Sequence, residues 1–285
     1  MDASVSLCGV SQYFGEKEVL KNINLEIKKG EIFGLLGPSG AGKTTLIKIV
    51  TGQLRRSGGE AYLLGEDCGQ LSRECYSGIG MMMDNTGLYE RLSCYDNLEL
   101  FTGIYGIENA GKRIEEVLKA VGLWEARKRQ VIQLSKGMKG RLALARAVMH
   151  EPQILFLDEP TSGLDPSTTK EIHKLILEQK ERGATVFLTT HNMEEAQKLC
   201  DHVALLHEGN IVTMGEPDAI CRQYNHVGQI QILLKNGAFL SVPNEPSQAA
   251  QIGKYLEDGM IETIHSTEPN LEEVFLELTG RRLEA

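Results

Sequence analysis

Eight residues at positions 37–44 read GPSGAGKT and match the pattern G-x-x-x-x-G-K-[ST]. A predicted strand precedes them and a predicted helix follows, which is the context in which this pattern binds phosphate. The glycines let backbone N–H groups turn toward phosphate oxygens, and the helix N-terminus adds the positive end of a dipole. We expect Lys43 to contact the β- and γ-phosphates of a nucleotide and Thr44 to place its hydroxyl on Mg²⁺. The expected nucleotide contacts from this loop are Gly37, Pro38, Ser39, Gly40, Ala41, Gly42, Lys43, Thr44 and Thr45. A glycine-rich loop with an incidental lysine is the alternative.

Two acidic side chains end the apolar stretch ILFL at 154–157. Asp158 suits the coordination shell of Mg²⁺, and Glu159 can polarise an attacking water as a general base. His191 follows the apolar strand predicted at 186–190, where it can hydrogen-bond a γ-phosphate and sense its loss. Each of these could instead be a solvated polar residue at a strand end, but the phosphate loop in the same chain favours the chemical interpretation.

A third group of residues lies where helices are predicted to begin. Ser135 is a good N-cap, and Gly137 lets the backbone approach an anion closely. Asp165 precedes Pro166, an order typical of a helix N-cap followed by the first helical turn. An ordinary capped helix explains either segment when it is considered alone.

The elements that would position these residues alternate between strands and helices. Alternating or continuous apolar residues predict strands at 22–27, 31–36, 154–157 and 185–189. Apolar residues spaced by three and four predict helices at 44–50, 96–105 and 113–121, and another that starts near Asp165 and is capped by Gly183. The pattern is βα alternation around a parallel sheet, with a mostly helical insertion at about 88–150.

The pattern changes after about residue 220. Asn236-Gly237 is a two-residue hairpin signal between two short strand-like runs. Asn270, with Glu273 three residues later, predicts a capping box at the start of a last helix. We predict strands at 229–234, 238–242 and 260–265 and a helix at 247–256. These elements indicate a small α+β domain.

The composition is that of a globular protein. The 285 residues are 41% hydrophobic and 24% charged, which suits one large domain and one small one. The formal net charge of −9 argues against a nucleic-acid partner. The six cysteines include no C-x-x-C pair, so we expect free thiols in a reducing compartment and no zinc site. No apolar run approaches the roughly 18 residues that span a bilayer, and the first ten residues do not read as a secretory signal.

Taken together, these motifs resemble the nucleotide-binding subunit of an ABC transporter. The likeness covers roughly residues 4–215 and comprises the Walker A loop at 37–44, the Walker B strand ending at Asp158, the signature LSKGM at 134–138, the D-loop SGLD at 162–165 and the switch His191. It implies an α/β P-loop NTPase core of the RecA-like type, with a parallel sheet, a β-rich N-terminal subdomain and a helical insertion. It also implies binding and hydrolysis of MgATP. The domain limits we expect are 1–218 for the nucleotide-binding domain and 219–285 for the small C-terminal α+β domain.

In this family two subunits pair head to tail, and each ATP lies between one Walker A loop and the partner's signature helix. The resemblance therefore implies that this chain binds a second copy of itself. Lys43, Glu159 and His191 would act on the chain's own nucleotide. Ser135 and Gly137 would contact the nucleotide of the partner, and the D-loop aspartate would lie near the seam.

The resemblance also implies an aromatic residue that stacks on adenine. Phe14 is the expected residue because the family usually places it just before a glycine, here Gly15. Tyr13 is the second candidate, and a core position for Phe14 is the alternative.

Two positions depart from the family pattern. Asp84 stands where the family has the Q-loop glutamine. A carboxylate can still contact Mg²⁺ or the attacking water, so Asp84 joins Thr44 and Asp158 among the expected metal ligands, although Asp is shorter than Gln. Lys136 and Met138 alter the signature. Lys136 either adds a positive charge near the partner's nucleotide or points to solvent.

The stretch EPNLEEVFLELTG at 268–280 resembles the C-terminal motif of ATPases that serve drug, antibiotic-peptide and sodium exporters. A plain amphipathic helix that packs the small domain is the alternative, and both interpretations can hold at once. The resemblance implies a separate integral-membrane permease as partner, and a cytoplasmic protein held at the inner face of the cell membrane through that permease.

Three other classes of protein are alternatives to an exporter ATPase. A soluble ABC ATPase of translation or DNA repair usually has two cassettes or a long coiled-coil insertion, and neither is present here. A P-loop kinase would not need the signature, D-loop and switch residues together. A cassette that binds ATP but hydrolyses it poorly would follow from Asp84, although Glu159 and His191 argue against it.

Overall fold

The computed structural model describes residues 3–83, 87–225 and 228–280. Their contacts divide the chain into two compact units. The first runs to Met214, and the second begins at Gly215. No helix in these described ranges is both long and apolar enough to cross a membrane.

A six-stranded sheet forms the centre of the first unit, in the order β10-β9-β3-β8-β7-β6. Its strands are β3 (Ile32–Leu36), β6 (Ile79–Met82), β7 (Ile154–Asp158), β8 (Thr185–Thr190), β9 (His202–His207) and β10 (Asn210–Gly215). The five strands from β9 to β6 are parallel. Every residue of β3, β7 and β8 is buried, as expected of strands covered on both faces. The carboxyl ends of these three neighbouring strands therefore meet at one edge of the sheet.

A second, antiparallel sheet lies in the N-terminal part of the same unit, in the order β2-β1-β4-β5. Its strands are β1 (Ala3–Phe14), β2 (Lys17–Lys28), β4 (Gly58–Leu63) and β5 (Glu66–Asp67). Side chains from this sheet and from the first helix share one core with the central sheet. Phe33, Phe156 and Phe187 come from three adjacent strands and pack ring against ring, at 5.6–5.8 Å between centroids.

Seven α-helices in the described part of the first unit connect these strands. They are α1 (Lys43–Val50), α2 (Arg73–Ser77), α3 (Cys94–Tyr105), α4 (Ala110–Ala120), α5 (Lys136–Val148), α6 (Pro166–Glu181) and α7 (Met193–Leu199). The insertion between β6 and β7 contains α3, α4 and α5, which pack against one another. Ser93 and Asp96 form a capping box that fixes the start of α3.

The second unit has its own small sheet, in the order β12-β11-β13. Its elements are α8 (Pro217–Gln223), β11 (Gln229–Leu234), β12 (Phe239–Pro243), α9 (Ala249–Glu257), β13 (Ile261–Thr267) and α10 (Leu271–Thr279). The three strands are antiparallel. The predicted capping box of Asn270 and Glu273 begins α10, and Gly280 ends it in the left-handed conformation. The predicted fold class, a parallel-sheet core with a β-rich subdomain, a helical insertion and a small α+β part, is confirmed.

Candidate functional site

The predicted phosphate loop connects the end of β3 to the start of α1. A Cβ atom at Gly37 would lie 2.2 Å from the backbone oxygen of Leu206, so only glycine fits there. Gly42 has a φ of 115°, and a Cβ there would lie 2.7 Å from Leu20. Because glycine stands at both positions, the backbone of the loop can lie close to neighbouring residues. The loop leads directly into the N-terminus of α1.

Lys43 is the first residue of α1, and its side chain is only 7% exposed. Its Nζ donates to the backbone oxygens of Gly37, at 2.6 Å, and Pro38, at 3.3 Å. The same Nζ lies 3.3 Å from Oε1 of Glu159. A buried ammonium that is held by backbone oxygens of the phosphate loop is already in position to bind an anionic ligand.

Asp158 ends β7 and is buried among hydroxyl donors. Thr44 Oγ1 donates to Asp158 Oδ2 at 3.0 Å, and Thr189 Oγ1 donates to Asp158 Oδ1. The predicted pair of Thr44 and Asp158 is therefore brought together across 114 residues of sequence. Hydroxyl and carboxylate oxygens are the ligands that Mg²⁺ prefers, so this donor set fits that ion.

Glu159 follows β7 in a conformation that is uncommon for its residue type. Its φ is 51°, in the left-handed region, where a non-glycine residue costs about 1–3 kcal/mol. Its Oε2 lies 2.7 Å from Nδ1 of His191, and its Oε1 faces Lys43. The structure thus brings together the three residues predicted to be catalytic.

Most of these side chains line one pocket of about 370 Å³ at the carboxyl edge of the central sheet, and His191 adjoins it through its contact with Glu159. The lining residues are Val19, Ser39, Gly40, Gly42, Lys43, Thr44, Thr45, Asp158 and Glu159. Neither Ser135 nor Gly137 belongs to this lining. The predicted site residues therefore form two groups within the chain.

The second group lies where α5 and α6 begin. Ser135 Oγ caps α5 by accepting from the backbone N–H of Met138 at 3.3 Å. Asp165 caps α6, and its carboxylate accepts from the hydroxyl of Thr168 at 2.7 Å and from two backbone N–H groups. These hydrogen bonds hold the pKa of Asp165 below its ordinary value. A Cβ at Gly137 would lie 2.9 Å from Thr168, so the two helix starts are in close contact.

Comparisons with known proteins identify the family of this chain. Residues 20–162 match the model of the family described as "ABC transporter". The chain belongs to the ABC transporter family. It is 38% identical over 269 residues to the fluoroquinolones export ATP-binding protein of Mycobacterium tuberculosis, covering 93% of this chain and 88% of that protein. It is 33% identical to the linearmycin resistance ATP-binding protein LnrL of Bacillus subtilis, covering 96% and 97%.

A solved structure extends the comparison to the fold. The dimeric structure of an ATP-binding cassette in a post-hydrolysis state, bound to ADP and Pi, superposes with a TM-score of 0.67 at 31% identity. It covers 74% of this chain and 98% of the other. The present chain is accordingly an ABC ATPase subunit.

The two adenine-stacking candidates of this ABC ATPase end the strand β1. Phe14 is 51% exposed, so it is not a core residue. Tyr13 is 47% exposed, and its hydroxyl donates to Glu18 at 2.7 Å. Both rings reach solvent. The hydroxyl of Tyr13 already has a hydrogen-bond partner, whereas the side chain of Phe14 has no polar group.

The altered signature residue Lys136 lies against the D-loop of its own chain. Its side chain is exposed, and a Cβ atom at Gly163 would lie 2.3 Å from Lys136 Nζ. The ammonium group therefore packs over the glycine backbone at the start of the D-loop. The other departure, Asp84, lies outside the described residues.

Two functional candidates were missed in the sequence. Thr189 donates to Asp158, although nothing distinguishes it from the other residues of a buried strand. Arg146, on α5, donates to the backbone oxygens of Met81 and Gly87, both at 3.0 Å, and its guanidinium lies over the ring of Phe101. A single arginine in an otherwise apolar helix face was the available signal, since a charge on such a face normally has a fixed partner.

Proposed function

We propose that this ABC ATPase binds MgATP in the pocket of Lys43 and Glu159, pairs head to tail with a second copy of itself, and powers export through a separate membrane permease. The observation that supports this proposal is that the predicted site residues form two separate groups within one chain. One pocket holds the Walker A lysine with Glu159, which His191 contacts, while the capped signature helix lies outside it. A second chain would supply the missing contact.

Within the pocket each side chain has a distinct task. Phosphate oxygens would replace Glu159 as the partner of Lys43 Nζ, which leaves the carboxylate to face the attacking water. Glu159 then accepts a proton from that water as general base. His191, hydrogen-bonded to Glu159 at 2.7 Å, orients the carboxylate and reaches toward the γ-phosphate.

Thr44 and Asp158 would hold Mg²⁺, because both line the pocket and their side-chain oxygens lie 3.0 Å apart. The ion would supply charge neutralisation on the β- and γ-phosphate oxygens. Asp84 is retained as a third ligand by resemblance alone. Phe14 would stack on the adenine base.

The signature residues would act on the other chain's nucleotide. Ser135 of the partner subunit and the N-terminus of its α5 would face the γ-phosphate, as helix starts commonly do for anions. Gly137 and Asp165 would lie at the seam between the two copies. Hydrolysis removes the phosphate that both copies hold, so the pair opens.

The proposal also divides the chain into two domains. Residues 1–218 would form the nucleotide-binding domain, with a helical subdomain at about 88–150, and residues 219–285 would form the accessory domain. The relatives named for fluoroquinolone export and linearmycin resistance match nearly the whole chain. They support export of a drug or antibiotic; an ion as cargo and a place at the cytoplasmic face of the membrane rest on the family resemblance.

The outward side of α3 is a candidate contact for the permease. Leu100 and Ile104, one turn apart on this helix, are 42% and 61% exposed. A pair of large apolar side chains at helical spacing is typical of a protein-binding surface. Arg146 connects the same helix to the backbone on both sides of the Q-loop position, through Phe101, Met81 and Gly87.

We expect the full chain, tagged and purified from membranes of its own organism, to bring a polytopic membrane protein in stoichiometric amount. Ile104→Glu should release that protein, because a charge cannot be buried there without a partner. Leu177→Glu, at an exposed apolar position of α6, is the matched control and should retain it.

The readouts are mass spectrometry of the complex and its ATPase rate. A wild-type ATPase that hydrolyses ATP but stays free of any membrane protein would indicate a soluble ABC ATPase instead. Retention of the permease by the Ile104 variant would move the contact surface elsewhere.

A further inference from the structure

A buried carboxylate accepts hydrogen bonds from two segments of the chain. One segment follows Glu159, and the other leads to His191. Glu195, on α7, is only 3% exposed. It accepts a hydrogen bond from Thr161 Oγ1 at 2.6 Å and one from Thr190 Oγ1 at 2.8 Å. Thr161 stands two residues after Glu159, and Thr190 stands immediately before His191.

His173 of α6 provides a third hydrogen bond to the same group. Its Nε2 lies 2.9 Å from Glu195 Oε1. An ionised carboxylate can only accept, so the imidazole nitrogen is the donor. Burial raises the pKa of Glu195, but the hydrogen bonds from His173, Thr161 and Thr190 outweigh that effect and bring the pKa below its ordinary value. Glu195 is therefore an anion that accepts hydrogen bonds from these three donors.

The two threonines fix the backbone on either side of the catalytic contact. Thr190 Oγ1 donates to Glu195 and also accepts from the N–H of Asn192 at 3.0 Å, so the turn that presents His191 is held at both ends. Thr161 lies in the segment that leads from Glu159 into the D-loop. Movement of either threonine would change the 2.7 Å contact between Glu159 and His191.

We infer that Glu195 is a positioning residue for hydrolysis, which ties the D-loop to the switch histidine through Thr161 and Thr190. It is not among the residues that line the pocket, so it would act through Glu159 and His191. This inference rests on the proposed roles of those two residues. A loss of Glu195 should slow turnover while nucleotide affinity is retained, because the phosphate loop is not among its partners.

The test measures kcat and KM for ATP, together with Kd for a non-hydrolysable ATP analogue. Glu195→Gln should lower kcat by roughly 10–100-fold, the range expected when a catalytic group is displaced by up to about 1 Å. Kd should change less than about twofold. The matched control is Glu194→Gln, one residue earlier on the same helix, whose side chain is 85% exposed and which should match the wild type.

Single threonine variants keep the test valid if the Glu195 variant folds poorly. Thr161→Val and Thr190→Val remove one hydroxyl each without a change in shape, and each should lower kcat. Thr161→Ser and Thr190→Ser keep the hydroxyl and should restore most of the rate. Combining either valine variant with Glu195→Gln should add little, since the three residues act as one unit.

A folded Glu195→Gln protein with wild-type kcat would overturn the inference. Serine variants as slow as the valine variants would also overturn it, because packing rather than hydrogen bonding would then matter. The proposed function is checked separately by Glu159→Gln. If that variant hydrolyses ATP normally, the base assignment fails whatever Glu195 does; if it is inactive and the Glu195 variant is not, only the inference fails.

Discussion

Glu159→Gln should bind ATP normally, hydrolyse it roughly 10²–10⁴-fold more slowly, and accumulate as an ATP-bound dimer. The amide keeps the size of the side chain but cannot take a proton from water. Both chains would then continue to hold the γ-phosphate, so the dimer would persist. Steady-state phosphate release and size-exclusion chromatography with ATP measure the two effects.

The position of Glu159 makes this prediction specific. The backbone of Glu159 is in the left-handed conformation, and its carboxylate lies between the amine of Lys43 and the imidazole of His191. Glu194→Gln removes an exposed carboxylate and should leave both rate and dimerisation unchanged. Hydrolysis by the Glu159 variant at the wild-type rate would show that another group activates the water.

Lys43→Ala should raise the Kd for an ATP analogue. A hydrogen bond to a charged group contributes about 1.5–3 kcal/mol, which corresponds to a roughly 10–150-fold increase in Kd. The effect is large because the ammonium is buried and already held by the loop oxygens of Gly37 and Pro38. No other side chain that lines the pocket carries a positive charge.

Lys48→Ala provides the control, since Lys48 is an exposed lysine of the same helix α1. Isothermal titration calorimetry with a non-hydrolysable analogue gives Kd for both variants. If Lys43→Ala binds as tightly as the control, the phosphate loop is not the nucleotide site.

Features that depend on neighbouring residues could be predicted well from the sequence. The phosphate loop, the capping box of Asn270 with Glu273, and the cap at Ser135 all follow from short spacings. The predicted strand at 31–36 begins one residue later, at Ile32, and Glu31 just before it places its carboxylate 2.9 Å from Nδ1 of His202. Such end effects need partners that are distant in sequence.

The supporting residues of the site could not be predicted, for the same reason. Glu194 and Glu195 are indistinguishable as acids in the first turn of a helix, where the dipole favours both. Only the fold places one in solvent and the other against Thr161, Thr190 and His173. Burial is decided by the whole chain, whereas a motif reports only local spacing.

The proposed function requires that each nucleotide is shared between the Walker A loop of one chain and the signature of another. Cys8 is the one exposed cysteine of the six, all of which lie in the described ranges. In a Cys8→Ser, Glu159→Gln background, Ser39→Cys and Ser135→Cys can be made in separate chains and mixed. Both positions are exposed, and they belong to the two halves of the proposed site.

Mild oxidation of that mixture, followed by non-reducing electrophoresis, is the most direct measurement. With ATP, we expect a covalent dimer that joins the two different variants, and without ATP we expect no such dimer. Mass spectrometry should identify the peptide pair that contains positions 39 and 135. An ATP-bound mixture that stays free of this heterodimeric disulfide would contradict the shared site.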